Sequence, residues 1–295
     1  MSFNSTDTRG SLYGLVDEHA SGILVSWIKY ARATGDYGIL EEYCDTAVRS
    51  YLYSGGKGKL IAIAELVKIR NKQRNAALGA LRRKKGRGKS GPNILDDINQ
   101  EKLEQSDFLK ALKVLDGGGS RGGHSVRYRE LVWDITQRGN LGENLVHICL
   151  LHNTAEQNDL AKFIVKKFPR LVNDIFISED YYGNGEVLHL TVIHDLPASN
   201  GWEENGGIQE MFTLAFEQGA NLHVRNNLKL TPLALAAKLA NKKMYDLILR
   251  FEMNVVWRYG ETVCEVFSLE DIDTIRQDSG LLNRCSVLSN IVYGV

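Results

Sequence analysis

Three stretches of the chain share one local pattern at a nearly constant spacing, and this repetition limits the fold more than any other feature. The first reads Gly142-Glu143-Asn144-Leu145-Val146-His147-Ile148-Cys149-Leu150-Leu151. The second reads Gly185-Glu186-Val187-Leu188-His189-Leu190-Thr191-Val192, and the third Leu230-Thr231-Pro232-Leu233-Ala234-Leu235-Ala236-Ala237. Aligned on His147, His189 and Ala234, they recur at 42 and 45 residues. A second apolar helix is expected after each, over Leu160–Phe168, Ile208–Glu217 and Met244–Phe251. Units of two helices at a fixed period predict a stack in which each repeat buries one face on its neighbour.

The residues within the units say how each helix starts and stops. Thr231 can accept from backbone N–H groups at a helix N-terminus, and Pro232 falls at the first helical position, where its missing N–H costs nothing. Gly219, in Phe216-Glu217-Gln218-Gly219-Ala220-Asn221-Leu222, can take the left-handed conformation after a helix. Ala236 and Ala237 permit close helix packing. The pattern resembles the ankyrin repeat, with its Thr-Pro-Leu-His-x-Ala helix start and its Gly-Ala-Asn/Asp end. The resemblance implies that His147 and His189 bond to backbone between repeats. The expected fold is therefore all-α, an ankyrin-repeat solenoid preceded by a helical N-terminal region with a basic, partly disordered insert.

That N-terminal region reads as largely helical over 11–53. Val25, Ile28, Ile39 and Tyr43 are candidates for one apolar face, and Gly35 and Gly38 divide the stretch into two helices. Gly55-Gly56-Lys57-Gly58-Lys59 reads as a turn, and Leu60 to about Leu81 as a further helix. Residues 93–115 are a polar helix candidate, and Asp116 to Gly123 is the clearest linker sequence. The organisation follows: 1–81 helical, 82–124 basic and Gly-rich insert, 125–254 repeats, 255–295 a linker beyond them.

Charge is distributed unevenly. The 295 residues carry 36 Lys+Arg and 36 Asp+Glu. Residues 55–90 hold twelve of the basic residues against Glu65 alone, so a segment of +11 sits on a body of −11. Such a segment meets anions, whether lipid, an acidic partner or the chain's own acidic surface. Three readings stay open for it: a solvated insert, a basic amphipathic helix for anionic lipid or calmodulin with Arg82, Arg83, Lys84 and Lys85 as its contacts, and nuclear import through the same four residues. No nucleic-acid partner is expected, because no reading helix or aromatic platform accompanies the charge.

Several features exclude function classes. The 43% hydrophobic content is enough for a core, and no apolar run approaches the roughly 18–20 residues of a membrane helix. The first residues carry no secretory pattern. Cys44, Cys149, Cys264 and Cys285 form no CxxC pair, which points to a reducing compartment. Gly88-Lys89-Ser90 lacks the earlier glycine of a phosphate loop, since Arg83 stands there. His147/His152 and His189/His194 are spaced i,i+5 without an intervening Glu, unlike a zinc-protease helix. No catalytic constellation, metal site or cofactor is expected, and the chain reads as a non-enzyme.

The flanks of the repeats carry a second resemblance. Arg127-Tyr128-Arg129-Glu130-Leu131-Val132-Trp133, Arg138 to Glu143 and Phe168-Pro169-Arg170-Leu171-Val172-Asn173-Asp174-Ile175 are similar to the first ankyrin repeats of vanilloid-type TRP (TRPV) cation channels. Arg225 to Leu233, Trp257-Arg258-Tyr259-Gly260 and Ile272-Asp273-Thr274-Ile275 match the last repeats and the segment after them. Tyr51 to Lys59 resembles the invertebrate branch, the Nanchung-like and nematode sensory channels. The likeness is strongest over about 125–291, weaker over 11–75 and absent over 82–118.

The resemblance implies the cytosolic part of a calcium-permeable channel subunit, supporting tetramer assembly and gating beside other such subunits at the plasma membrane. The residues in hand hold no pore, so a fragment or an incomplete gene product is expected. The alternative is a soluble, cytoplasmic adaptor that binds channel subunits without conducting. The family carries more repeats than the three found here, which suggests that one or two are missing near Gly183–Gly185.

Overall fold

The computed structural model describes residues 8–16, 22–62, 65, 66, 69, 128–139, 142–176, 187–195, 206–226, 228–276 and 279–294. The chain divides into two compact units, Met1–Leu145 with Phe176–Asn184, and Val146–Ile175 with Gly185–Val295. The described residues are mostly helical, but they also contain two small antiparallel sheets, so the fold is not purely α.

In the first unit, α1 (Thr8–Leu15) and α2 (Ile23–Thr34) bury Leu12, Leu15, Leu24, Val25, Ile28 and Ala31. Gly35 stops α2 in the left-handed region at φ 77°, and its N–H bonds the Ala31 carbonyl at 2.8 Å. The next helix, α3 (Gly38–Thr46), buries Leu40 and Cys44. Ile39 and Tyr43, expected on the buried face, are instead exposed and half-exposed. Those two positions continue the phase of α2, and the break at Gly35–Tyr37 resets it.

A short ribbon follows, with β1 (Lys59–Ala62) antiparallel to β2 (Tyr128–Leu131), Lys59 opposite Leu131 and Ala62 opposite Tyr128. The expected helix from Leu60 is therefore a strand at its start. Burial alternates along it, Leu60 outward and Ile61 inward, as a half-buried strand requires. Leu66 is buried in helical conformation farther on. Beside the ribbon, Leu52 bridges Trp133. The Trp133 indole is fully buried, stacks on Tyr51 at 5.4 Å and donates to the Gln137 carbonyl at 3.2 Å.

The second unit is a succession of helix pairs: α4 (Leu145–His152) and α5 (Ala155–Lys167), α6 (Val187–His194) packed on α7 (Gly206–Glu217), and α8 (Pro232–Lys238) packed on α9 (Lys242–Glu252). First helices lie beside first helices and second beside second: α6 packs on α8, α5 on α7, and Phe251 of α9 meets Phe212 and Phe216 of α7. The first helices are covered by neighbours on several sides and are apolar nearly all round; α6 buries every residue from Val187 to Val192. The second helices are amphipathic, as with the i,i+4 pair Met244 and Ile248 of α9. Each such buried side chain contributes about 1.5–3 kcal/mol.

All three second helices are present and begin earlier than expected, because side-chain caps extend two of them. Thr154 accepts from Gln157 N–H at 3.2 Å and Asn241 from Met244 N–H at 3.1 Å. Ahead of each cap stands a left-handed residue, Asn153 at φ 50° and Ala240 at φ 53°. The pairs are also sewn at the far end: Asn173 Nδ2 donates to the Gly219 carbonyl at 3.0 Å, and Asn221 N–H donates back to Asn173 Oδ1 at 3.2 Å.

Past α9 the chain forms a hairpin of β3 (Asn254–Tyr259) and β4 (Thr262–Val266), then an irregular segment and α10 (Val287–Tyr293), which packs on α8. Residues 255–295, expected as a linker, thus contain a sheet and a helix, and the expected boundary at 254 falls inside β3.

Candidate protein-docking surface

The residues singled out in the sequence act separately, as fasteners within the stack. His147 is fully buried with Nε2 3.1 Å from the Asp174 carbonyl. His189 places Nε2 3.1 Å from the Leu230 carbonyl, just ahead of Thr231. Each ties a first helix to the segment that leads into the next pair. Burial pushes His189 down to about 4, with the bond to Leu230 acting the other way. The ring is therefore neutral near pH 7, and donation to Leu230 assigns the proton to Nε2.

Thr231 accepts from Ala234 N–H at 3.3 Å with Pro232 at the first helical position. Gly219, at φ 89°, follows α7; its N–H bonds Phe216 O at 2.9 Å while Ala220 N–H bonds Ala215 O at 3.0 Å. That pair of bonds is the Schellman arrangement, which satisfies the last carbonyls of a helix.

Arg82, Arg83, Lys84 and Lys85 lie outside the described residues, as do Gly88-Lys89-Ser90, the 93–115 helix candidate, the 116–123 linker and the proposed gap at Gly183–Gly185. Among the described residues, no three His, Cys, Asp or Glu side chains are grouped to hold a metal, and no helix is long and apolar enough to cross a membrane. Cys149 is buried in α4, and burial raises its thiol, which keeps it protonated and unreactive.

The surface with the clearest capacity to bind is the β3–β4 hairpin. All six residues of β3 are exposed. Trp257 is 52% and Tyr259 83% accessible, and Val255, Val256, Val263 and Val266 join them. The apolar surface continues through Phe267 and Leu269. Trp257 pairs with Cys264 and Tyr259 with Thr262, with an irregularity between Val255 and Trp257. The turn is Gly260-Glu261, with Gly260 left-handed at φ 57°, a residue choice suited to a two-residue hairpin.

Among the described residues the sheet has only these two strands, so both edges present backbone donors and acceptors to solvent. A two-stranded hairpin is marginal alone in water, and a large exposed apolar patch marks an interaction site.

The segment after the hairpin is anchored. Arg225 pairs with Asp271 at 2.5 Å, and Ile272 is buried. Asp271 O accepts from Val287 N–H at 2.9 Å and Ile272 O from Leu288 N–H at 3.1 Å, which fastens the segment to α10. Burial raises the Glu252 carboxyl at the end of α9; His223 opposes the rise and Asp271 adds to it. Ser286 caps α10 by accepting from Ser289 N–H at 3.1 Å.

The sequence reading gave 255–295 as a linker and missed the hairpin. Its signal was present in the turn pair Gly260-Glu261 between two runs rich in β-branched and aromatic residues.

No family model matches the chain, and no curated protein matches it.

Proposed function

We propose that this chain is the cytosolic, ankyrin-type scaffold of a TRPV-like cation-channel subunit, and that its β3–β4 hairpin docks on a neighbouring copy of the subunit. The stacked pairs supply a rigid frame, and the hairpin supplies strand edges and an aromatic face. The exposed Trp257 and Tyr259 on a two-stranded sheet are the observation that carries the reading. The helix pairs, the His ties ahead of each next pair and the Gly219 helix end support the ankyrin assignment within it.

A Trp or Tyr side chain offers about 150–250 Å² for burial. At about 25 cal/mol per Å², sealing half of the Trp257 side chain is worth about 2–3 kcal/mol. Sedimentation equilibrium of the purified chain tests this. The wild type is expected to self-associate, and Trp257→Ser or Tyr259→Ser to weaken association by a factor of about 30 or more. Both side chains are exposed, so the fold should survive either change. A wild-type chain that stays monomeric up to about 100 µM, where any association is weaker than about −5.5 kcal/mol, refutes hairpin docking.

A further inference from the structure

The 42-residue period brings a second pair of histidines together. His152 ends α4 and His194 ends α6, at the same separation as His147 and His189. The two helix ends touch, since Asn153 Nδ2 donates to the His194 carbonyl at 3.2 Å. The His194 ring is held below the usual imidazole range by burial first and by the nearby His152 second. Its Nε2 is buried and has no hydrogen-bond partner among the described residues. His152 is half-buried beside it.

The other charged groups around the joint do not relieve this. Asp195 follows His194, but its carboxylate is engaged by two amides, Asn241 Nδ2 at 3.2 Å and Gln209 Nε2 at 3.4 Å. Lys243 of α9 faces Asp195 and adds a further positive charge. A proton arriving on His194 therefore meets a desolvated site and a second imidazole, while the adjacent carboxylate among the described residues, Asp195, is already engaged by Asn241, Gln209 and Lys243.

We propose that His152 and His194 form a proton-sensitive joint that loosens the α4–α5 pair from the α6–α7 pair as pH falls below neutrality. The inference concerns the stack alone and does not depend on the channel reading. With both rings neutral the joint closes. When it opens, the His194 ring meets water and regains the ordinary proton affinity of an imidazole, around pH 6.5. The closed joint takes up fewer protons than the open one. Linkage then raises the opening equilibrium by up to tenfold per pH unit for each proton of difference. Asp195 acts in the opposite sense, because burial raises its carboxyl, and so offsets part of the His194 effect.

Hydrogen–deuterium exchange of the whole chain between pH 7.5 and 5.5, corrected for intrinsic exchange, tests the joint. Peptides covering α4 and α6 are expected to open several-fold, up to about tenfold, more often at pH 5.5, with a smaller change in α8 and α9. In His152→Gln/His194→Gln the rise should fall below about threefold, since glutamine does not titrate. An undiminished rise in that variant overturns the proposal. Should the double variant fail to fold, His152→Gln alone replaces only a half-buried ring. An NMR titration of His194 should then show its midpoint moving up, and an unmoved midpoint overturns the proposal.

Discussion

Ala240 is an alanine where the backbone asks for glycine. It follows α8 at φ 53°, with Ala240 N–H bonded to Ala237 O at 3.1 Å and Asn241 N–H to Ala236 O at 2.9 Å. These are the same two bonds that surround Gly219 after α7. The left-handed region costs a non-glycine residue about 1–2 kcal/mol. Ala240→Gly removes that cost but restores about 0.5–1 kcal/mol of unfolded-chain entropy. The Ala240 methyl is exposed, so no packing is lost. The net expectation is a gain of about 0.5–1 kcal/mol, or about 1–4 °C in Tm for a unit of this size.

The reverse change, Gly219→Ala, provides the counterpart. A Cβ added at Gly219 meets nothing within 4 Å, so only the backbone at φ 89° resists it. That substitution should cost about 1 kcal/mol. Urea unfolding followed by far-UV circular dichroism reads both. A destabilised Ala240→Gly, or a neutral Gly219→Ala, would refute the assignment of these two positions to left-handed helix ends.

Other perturbations follow from the same contacts. His189 is held at about 4 in the folded chain against about 6.5 unfolded, so its contribution to stability is intact above about pH 6.5. It is lost as pH falls toward 4, by about 3 kcal/mol in total; unfolding free energies measured from pH 7 to 4 should show this slope, and His189→Gln should flatten it. Asn241→Ala removes the cap of α9 together with donations to Val192 O at 3.5 Å and Asp195 Oδ2 at 3.2 Å. It should cost about 2 kcal/mol, against about 1 kcal/mol for Thr231→Ala, which removes a cap alone, with both read from urea midpoints. Trp133→Ala empties a fully buried site beside Tyr51 and should destabilise the first unit by about 3–5 kcal/mol, read as loss of exchange protection in β2.

The helix pairs were legible in the sequence because their signals are local. Thr231-Pro232, Gly219 and the break at Gly35–Gly38 each act within a few residues, and the structure places helix ends at all of them. The strand at Lys59–Ala62 was not legible. Its partner Tyr128–Leu131 is more than sixty residues away in sequence, and four residues alone cannot distinguish a strand from the first turn of a helix. The buried face of α3 was missed for a related reason, since one phase was carried across a break that shifts it.

The β3–β4 hairpin escaped because both of its faces are exposed, which removes the in–out hydrophobic contrast that marks a half-buried strand. The pairing of His152 with His194 follows from the 42-residue period, but only the stack shows that their helix ends meet.

Fractionation of the source tissue tests the channel-subunit reading most directly, with an immunoblot using an antibody to residues 139–275. A band in the membrane fraction far above the 33.0 kDa of this chain is the predicted result. A single soluble band near 33.0 kDa would contradict it and leave the stack as an adaptor that acts through its exposed hairpin.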